Sequence, residues 1–189
     1  MRLAMHCSMR TFVLAMASLL CVLQPTPAAT LEKLSWDDLI GKSTAIVRGR
    51  VASSSTAFRG SVIYTSYRIT VSQQLKGTAQ STVQVLVPGG TVAGVRQSVS
   101  GSPLLVSGNE YVLFLWTARS GATFVMGLTQ GVFDLVQNVG GDLMANRKAA
   151  NEAMLAPGTL RVVQDDPVAM KFDDLKALVA STLAQGSGN

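Results

Sequence analysis

Residues 61–77, Ser-Val-Ile-Tyr-Thr-Ser-Tyr-Arg-Ile-Thr-Val-Ser-Gln-Gln-Leu-Lys-Gly, constrain the fold more than any other stretch. Ile63, Thr65, Tyr67, Ile69, Val71 and Leu75 alternate with Tyr64, Ser66, Arg68, Thr70, Ser72 and Lys76. A period of two, carried by β-branched and aromatic side chains, predicts a long strand with one face on a core. Such a strand needs partners on both sides. Upstream, residues 44–51 also alternate, with Ala45, Val47, Gly49 and Val51 opposite Ile46, Arg48 and Arg50. Gly49 inside that run predicts a bulge or a close backbone approach. Residues 53–56 (Ser-Ser-Ser-Thr) and Gly60 read as the loop between the two strands.

Downstream, Val83, Val85 and Val87 mark a third strand, ended by Pro88-Gly89-Gly90. Residues 91–102 are glycine-spaced and read as a partial strand or an irregular crossing. Residues 111–116 are wholly apolar, which suits a strand buried on both faces or a barrel junction. Residues 123–128 and 132–137 read as further strands, and Val139-Gly140-Gly141 as the hairpin tip leading to 143–146. Residues 146–157 have a helix-compatible composition without caps, and 160–163 suit a short edge strand. Helices are expected only at the ends. Residues 30–43 form one, with Ser35 as N-cap, Asp38 in the capping-box position and Gly41 as the stop. The other follows Asp165-Asp166-Pro167, with Asp173 as N-cap and a stripe of Leu175, Leu178, Val179 and Leu183. The expected fold is mainly β, an OB-like antiparallel β-barrel with a short N-terminal helix and a C-terminal amphipathic helix. Its parts are a leader (1–29), the N-terminal helix (30–44), the barrel (45–147) and an extension with the helix and a disordered tail (148–189).

The leader has the three-part layout of a secretory signal peptide. Arg2 and Arg10 precede an apolar run over 12–23, and Pro25-Thr-Pro-Ala-Ala29 offers cleavage after Ala28 or Ala29. The apolar run is about twelve residues, short of the roughly twenty that cross a bilayer. Cleavage would leave no transmembrane segment and an exported chain, periplasmic or extracellular. Leu20 before Cys21 fits a lipoprotein signal poorly. Cleavage also removes Cys7, Cys21 and His6, the only cysteines and histidine. The 16 basic residues fall by two to 14 against 11 acidic, so the formal charge drops from +5 to +3. That is a weak pull toward anionic partners.

Without histidine or cysteine, histidine-based triads, thiol nucleophiles and histidine metal sites are excluded by composition. Gly41-Lys42-Ser43 lacks the earlier glycine of a phosphate-binding loop, since Trp36 stands there, and the strand and helix come in the wrong order. No serine precedes a lysine by three residues, and Gly-x-Ser-x-Gly does not occur. Glu110, Asp134 and Asp142 could form a carboxylate pair only by converging in space. Asp165-Asp166 and Asp173-Asp174 lack calcium-loop spacing and read as a solvated turn and a helix cap. No catalytic, cofactor-binding or metal-binding residue is assigned, and no cofactor is expected.

One constellation suggests binding. If the first two strands pair, Arg48, Arg50, Tyr64 and Arg68 share an outer face of the kind OB barrels use for ligands. The segments Ala45-Ile-Val-Arg-Gly-Arg-Val51, Ile63-Tyr-Thr-Ser-Tyr-Arg-Ile-Thr-Val71, Leu75-Lys-Gly77, Gly108-Asn-Glu-Tyr-Val-Leu-Phe-Leu115 and Gly127-Leu-Thr-Gln-Gly-Val-Phe133 resemble a group of secreted bacterial domains of unassigned function. Their layout is also similar to the netrin-like OB-barrel modules that include metalloproteinase inhibitors. The resemblance implies the barrel. It does not carry inhibition across, because those inhibitors use an N-terminal cysteine and disulfides. The expectation is a non-enzymatic exported binding domain whose partner is a protein or an anionic envelope polymer; export disfavours nucleic acid. The alternative is a secreted protease inhibitor or regulator acting through residues 98–103, and a carboxylate-based hydrolase is a remote third.

Overall fold

The computed structural model describes residues 30–150 and 152–186, so the expected leader (1–29) and the last three residues lie outside the described part. In chain order the first elements are β1 (Thr30–Glu32), α1 (Trp36–Lys42), β2 (Ala45–Arg59), β3 (Val62–Lys76), β4 (Thr82–Pro88), β5 (Gly90–Val92) and β6 (Val95–Gln97). Then come β7 (Glu110–Thr117), β8 (Thr123–Val125), a 3-10 turn (Leu128–Gly131), β9 (Val132–Gln137) and β10 (Leu143–Arg147). The chain ends in β11 (Ala153–Leu155), β12 (Val162–Val163), β13 (Val168–Lys171) and α2 (Phe172–Gly186). The fold is mainly β, with one short helix near the start and one longer helix at the end.

The strand expected over residues 61–77 is β3, hydrogen-bonded to β2 on one side and β4 on the other. The main sheet runs β13-β10-β9-β7-β2-β3-β4-β8, and β8 also pairs with β7. The pairing β7-β2-β3-β4-β8 therefore returns to its start, with a parallel contact between Leu86 and Phe124 and an antiparallel one between Trp116 and Phe124. β9, β10 and β13 extend the sheet beyond β7.

Of these strands, β7 buries both of its faces between residues 111 and 115. Tyr111, Leu113 and Leu115 of β7 join Val47, Val51, Tyr67, Ile69, Val85 and Val87 in one core. Val112 and Phe114, on the opposite face, join Ile46, Phe133, Leu39, Ile40, Leu175 and Val179 in a second core under the helices. The unbroken apolar run of β7 is thus explained: both faces are dry. Ser35 caps α1 by accepting from the Asp38 N–H at 3.0 Å. The Leu175–Leu183 stripe docks α2 on the second core.

Gly49 lies at a register shift between β2 and β3, where a Cβ would meet Ile69 Cγ2 at 2.6 Å and the Thr70 oxygen at 2.7 Å. Four expectations need correction. Residues 53–56 are not a loop, because β2 runs on to Arg59 and pairs there with β3. The end of β2 is exposed on both faces, while its partner β3 buries Ile63 and Tyr67 there, so the serines and threonine of β2 report solvent rather than a turn. Residues 30–35 are not helical: Thr30–Glu32 pair in parallel with Ala153–Leu155, and this also makes a strand of part of 146–157. Asp173 lies inside α2, which already begins at Phe172, buried in the second core.

Candidate functional site

The four residues expected to share a ligand face divide into two groups. Arg48 makes a two-pronged ion pair with Glu110, Nε to Oε1 at 2.9 Å and Nη2 to Oε2 at 3.0 Å. Its guanidinium also lies over the Phe172 ring, 5.1 Å from the centroid. Ser72 donates to the same Glu110 oxygen at 3.1 Å. The Arg48 bonds hold the Glu110 carboxyl below the ordinary carboxylate range. Arg48 is therefore occupied in seating α2 on the sheet. Arg50 donates to the Gly108 carbonyl. Tyr64 and Arg68 stand apart, on the stretch of β3 that the helices do not cover.

There Tyr64 meets aromatic neighbours that sequence reasoning missed. Its ring meets Phe124 edge-on at 6.2 Å, and Phe124 stacks with Trp116 at 5.8 Å and 30°. Trp116 is 45% exposed. Leu86 of β4 lies between Ser66 of β3 and Phe124 of β8 in the register, nearly closed off from solvent. Tyr64, Ser66, Leu86, Phe124 and Trp116 thus cross the sheet as one outward-facing band. Gln84 donates to Ser66 Oγ at 2.6 Å on the same face, whereas the Thr117 and Thr123 hydroxyls, 2.9 Å apart, alternate to the other side of β7 and β8. Position 116 could have been found from the alternation 112, 114, 116 within the apolar run. Phe124 could not, because its approach to Tyr64 depends on the parallel β4–β8 contact.

The β3 and β4 members of the band lie in a basic part of the chain. Between Asp38 and Glu110 there is no acidic residue, while Lys42, Arg48, Arg50, Arg59, Arg68, Lys76 and Arg96 all fall there. Arg59 pairs with Val62, two residues from Tyr64 on the same side of the ribbon, and Arg68 pairs with Gln84. Arg119 is in the turn between β7 and β8. Arg59, Arg68 and Arg119 are exposed, and none has a carboxylate partner among the described residues.

Glu110 and Asp134 both border one cleft of about 390 Å³, together with Arg48 and Arg50, but from different faces of the sheet. Glu110 extends the face of Val112 and Phe114, whereas Asp134 pairs with Tyr111 and leaves the sheet on the other side. Asp142 pairs with Lys171 at 3.0 Å. Asp134 lines a cleft of about 520 Å³ with Lys148 and Glu152, and burial pushes its carboxyl above the ordinary value. Asp165 is no solvated turn residue. Burial alone would raise its carboxyl, but Arg147 at 2.6 Å and the Ala150 N–H at 2.8 Å outweigh that and hold it low. The pair borders a cleft of about 400 Å³ beside Trp36 and Phe133 and ties β10 to the segment before β13. Among the described residues no group of three or more His, Cys, Asp or Glu could hold a metal ion.

Of the loop expected to act on proteases, residues 98–103, the exposed apolar part lies just beyond. Pro103 and Leu105 are buried while Leu104 between them is 81% exposed. The backbone of this segment is held by a buried tyrosine: the Val106 N–H donates to Tyr111 Oη at 2.9 Å.

Comparison with protein-family models, with curated proteins and with solved structures finds no match to this chain.

Proposed function

We propose that this chain is an exported, non-enzymatic binding domain on an OB-like five-stranded barrel, and that it holds an envelope polymer on the outer face of β3, β4, β8 and β7. The barrel reading is supported by the pairing order, which returns from β8 to β7 with one parallel contact. In OB barrels the second and third strands and the two loops beside them take up extended ligands. Here those parts are β3, β4, the hairpin tip at residues 60–61 and the turn at 118–122. Export rests on the leader of residues 1–29.

The observation that carries the binding reading is the aromatic band itself. Trp116 at 45% exposure, stacked on Phe124 and continued by Tyr64, is apolar area that water solvates poorly. Neutral hydroxyl and amide groups border it. Tryptophan fluorescence tests the reading directly. Trp36, the first residue of α1, packs against Phe133 at 5.6 Å on the second core, so Trp116 is the tryptophan that reports on this face. Titration with soluble cell-envelope polysaccharide is expected to shift the emission, and Trp116→Phe to abolish the shift. Binding that survives Trp116→Ala intact would move the site elsewhere.

A second reading has its own observation. An extended segment that buries Pro103 and Leu105 and presents Leu104 is the form in which an inhibitor offers a chain to a protease. It predicts inhibition of a protease that cleaves after leucine, lost in Leu104→Asp. Failure to inhibit any such protease would dispose of it.

A further inference from the structure

Resting on that reading of the face, we propose that the ligand is an acidic polysaccharide, a hydroxyl-rich chain with sparse negative charge. Two features of the face point there together. First, its centre is aromatic and neutral: Tyr64, Phe124 and Trp116 offer ring surface to the C–H faces of sugars, and Ser66 and Gln84 offer neutral hydrogen bonds. Second, its margins are cationic. By the strand register, Arg59 lies past Tyr64 at one end, and Arg68 with the β7–β8 turn bearing Arg119 lies at the other. These guanidinium groups carry no internal ion pair among the described residues, and the chain has no carboxylate between Asp38 and Glu110 to offset them. Unpaired arginines around a neutral platform attract an anion without neutralising a dense run of charge.

That spacing is what separates the proposal from a nucleic acid. A nucleic-acid strand carries a phosphate at every nucleotide and needs cations along the whole track. Between Arg68 and Val62 on β3 the outward residues are Ser66 and Tyr64, with no cation. A neutral glycan would leave Arg59, Arg68 and Arg119 without a role.

The test is affinity electrophoresis of the full chain through gels containing polygalacturonate, neutral dextran or oligo-dT. Polygalacturonate is expected to retard the protein, less so at higher salt. Trp116→Ala and Arg68→Glu should each weaken the retardation about tenfold. Arg161→Glu, the same charge change on an exposed residue outside the face, should alter it by less than about twofold. Thermal melts check that each variant remains folded. Retardation by dextran as strong as by polygalacturonate, still lost in Trp116→Ala, would overturn the acidic ligand and leave the face standing. Tighter binding to oligo-dT would overturn it in favour of nucleic acid. No retardation by any polymer would remove the face as a polymer site altogether.

Discussion

A methyl group added at Gly49 would lie within 2.7 Å of the Thr70 carbonyl oxygen and closer still to Ile69, both fixed by the β2–β3 ladder. Gly49→Ala is therefore expected to cost about 1–3 kcal/mol, measured by urea unfolding. Asp134 should behave in the opposite way. Its folded carboxyl titrates above its ordinary 3.8, so its ionisation opposes folding at neutral pH. The penalty is relieved as pH falls through the raised value. Asp134→Asn should thus stabilise at pH 7 by up to about 1 kcal/mol, with the gain shrinking on acidification. Glu110 and Asp165 carry the reverse sign. Their folded carboxyls are held low, so the stability they add is complete above their ordinary values and lost as pH falls through the depressed ones. Gly49 was legible as a glycine interrupting an alternation. The fate of Arg48 was not: its partners are Glu110, 62 residues away, and Phe172 near the chain's end.

At the scale of elements, the long strands and the terminal helices announce themselves by period. α2 follows its stripe, and Leu175, buried in the second core, makes the dependence measurable: Leu175→Ala should cost about 2–5 kcal/mol in the same unfolding assay. β1, β11 and β13 are three or four residues each, too short to show a period, and β1 finds its partner more than a hundred residues away. The outer part of the β2–β3 ribbon was hidden for a different reason. The end of β2 is a strand wet on both faces, and such a strand has the composition of a loop. Its amides near residues 53–59 should exchange with solvent well before those of β7, which is buried on both faces. Equal protection would mean that the ribbon is covered in solution.

For the molecule as a whole, the two cores divide the labour. One is enclosed by β2, β3, β4, β7 and β8. The other fastens both helices to the opposite side of β7 and β9, consuming Arg48 and Glu110 in doing so. What is left open is the outer side of β3, β4 and β8 with the end of β7, where Trp116 and Phe124 meet Tyr64, whose own stretch of sequence, 39–109, carries only positive charge. That separation of charge was written in the sequence, but its meaning was not. Only strand closure through β8 brings Trp116 and Phe124 beside Tyr64. The central claim is that this side receives the ligand. Titrating the 15N-labelled protein with oligogalacturonate and following its backbone amides tests it most directly. The shifts should concentrate in residues 64–68, 84–88, 116–119 and 123–124. Shifts gathered instead around Leu104, or around Asp134 and Lys148, would contradict it.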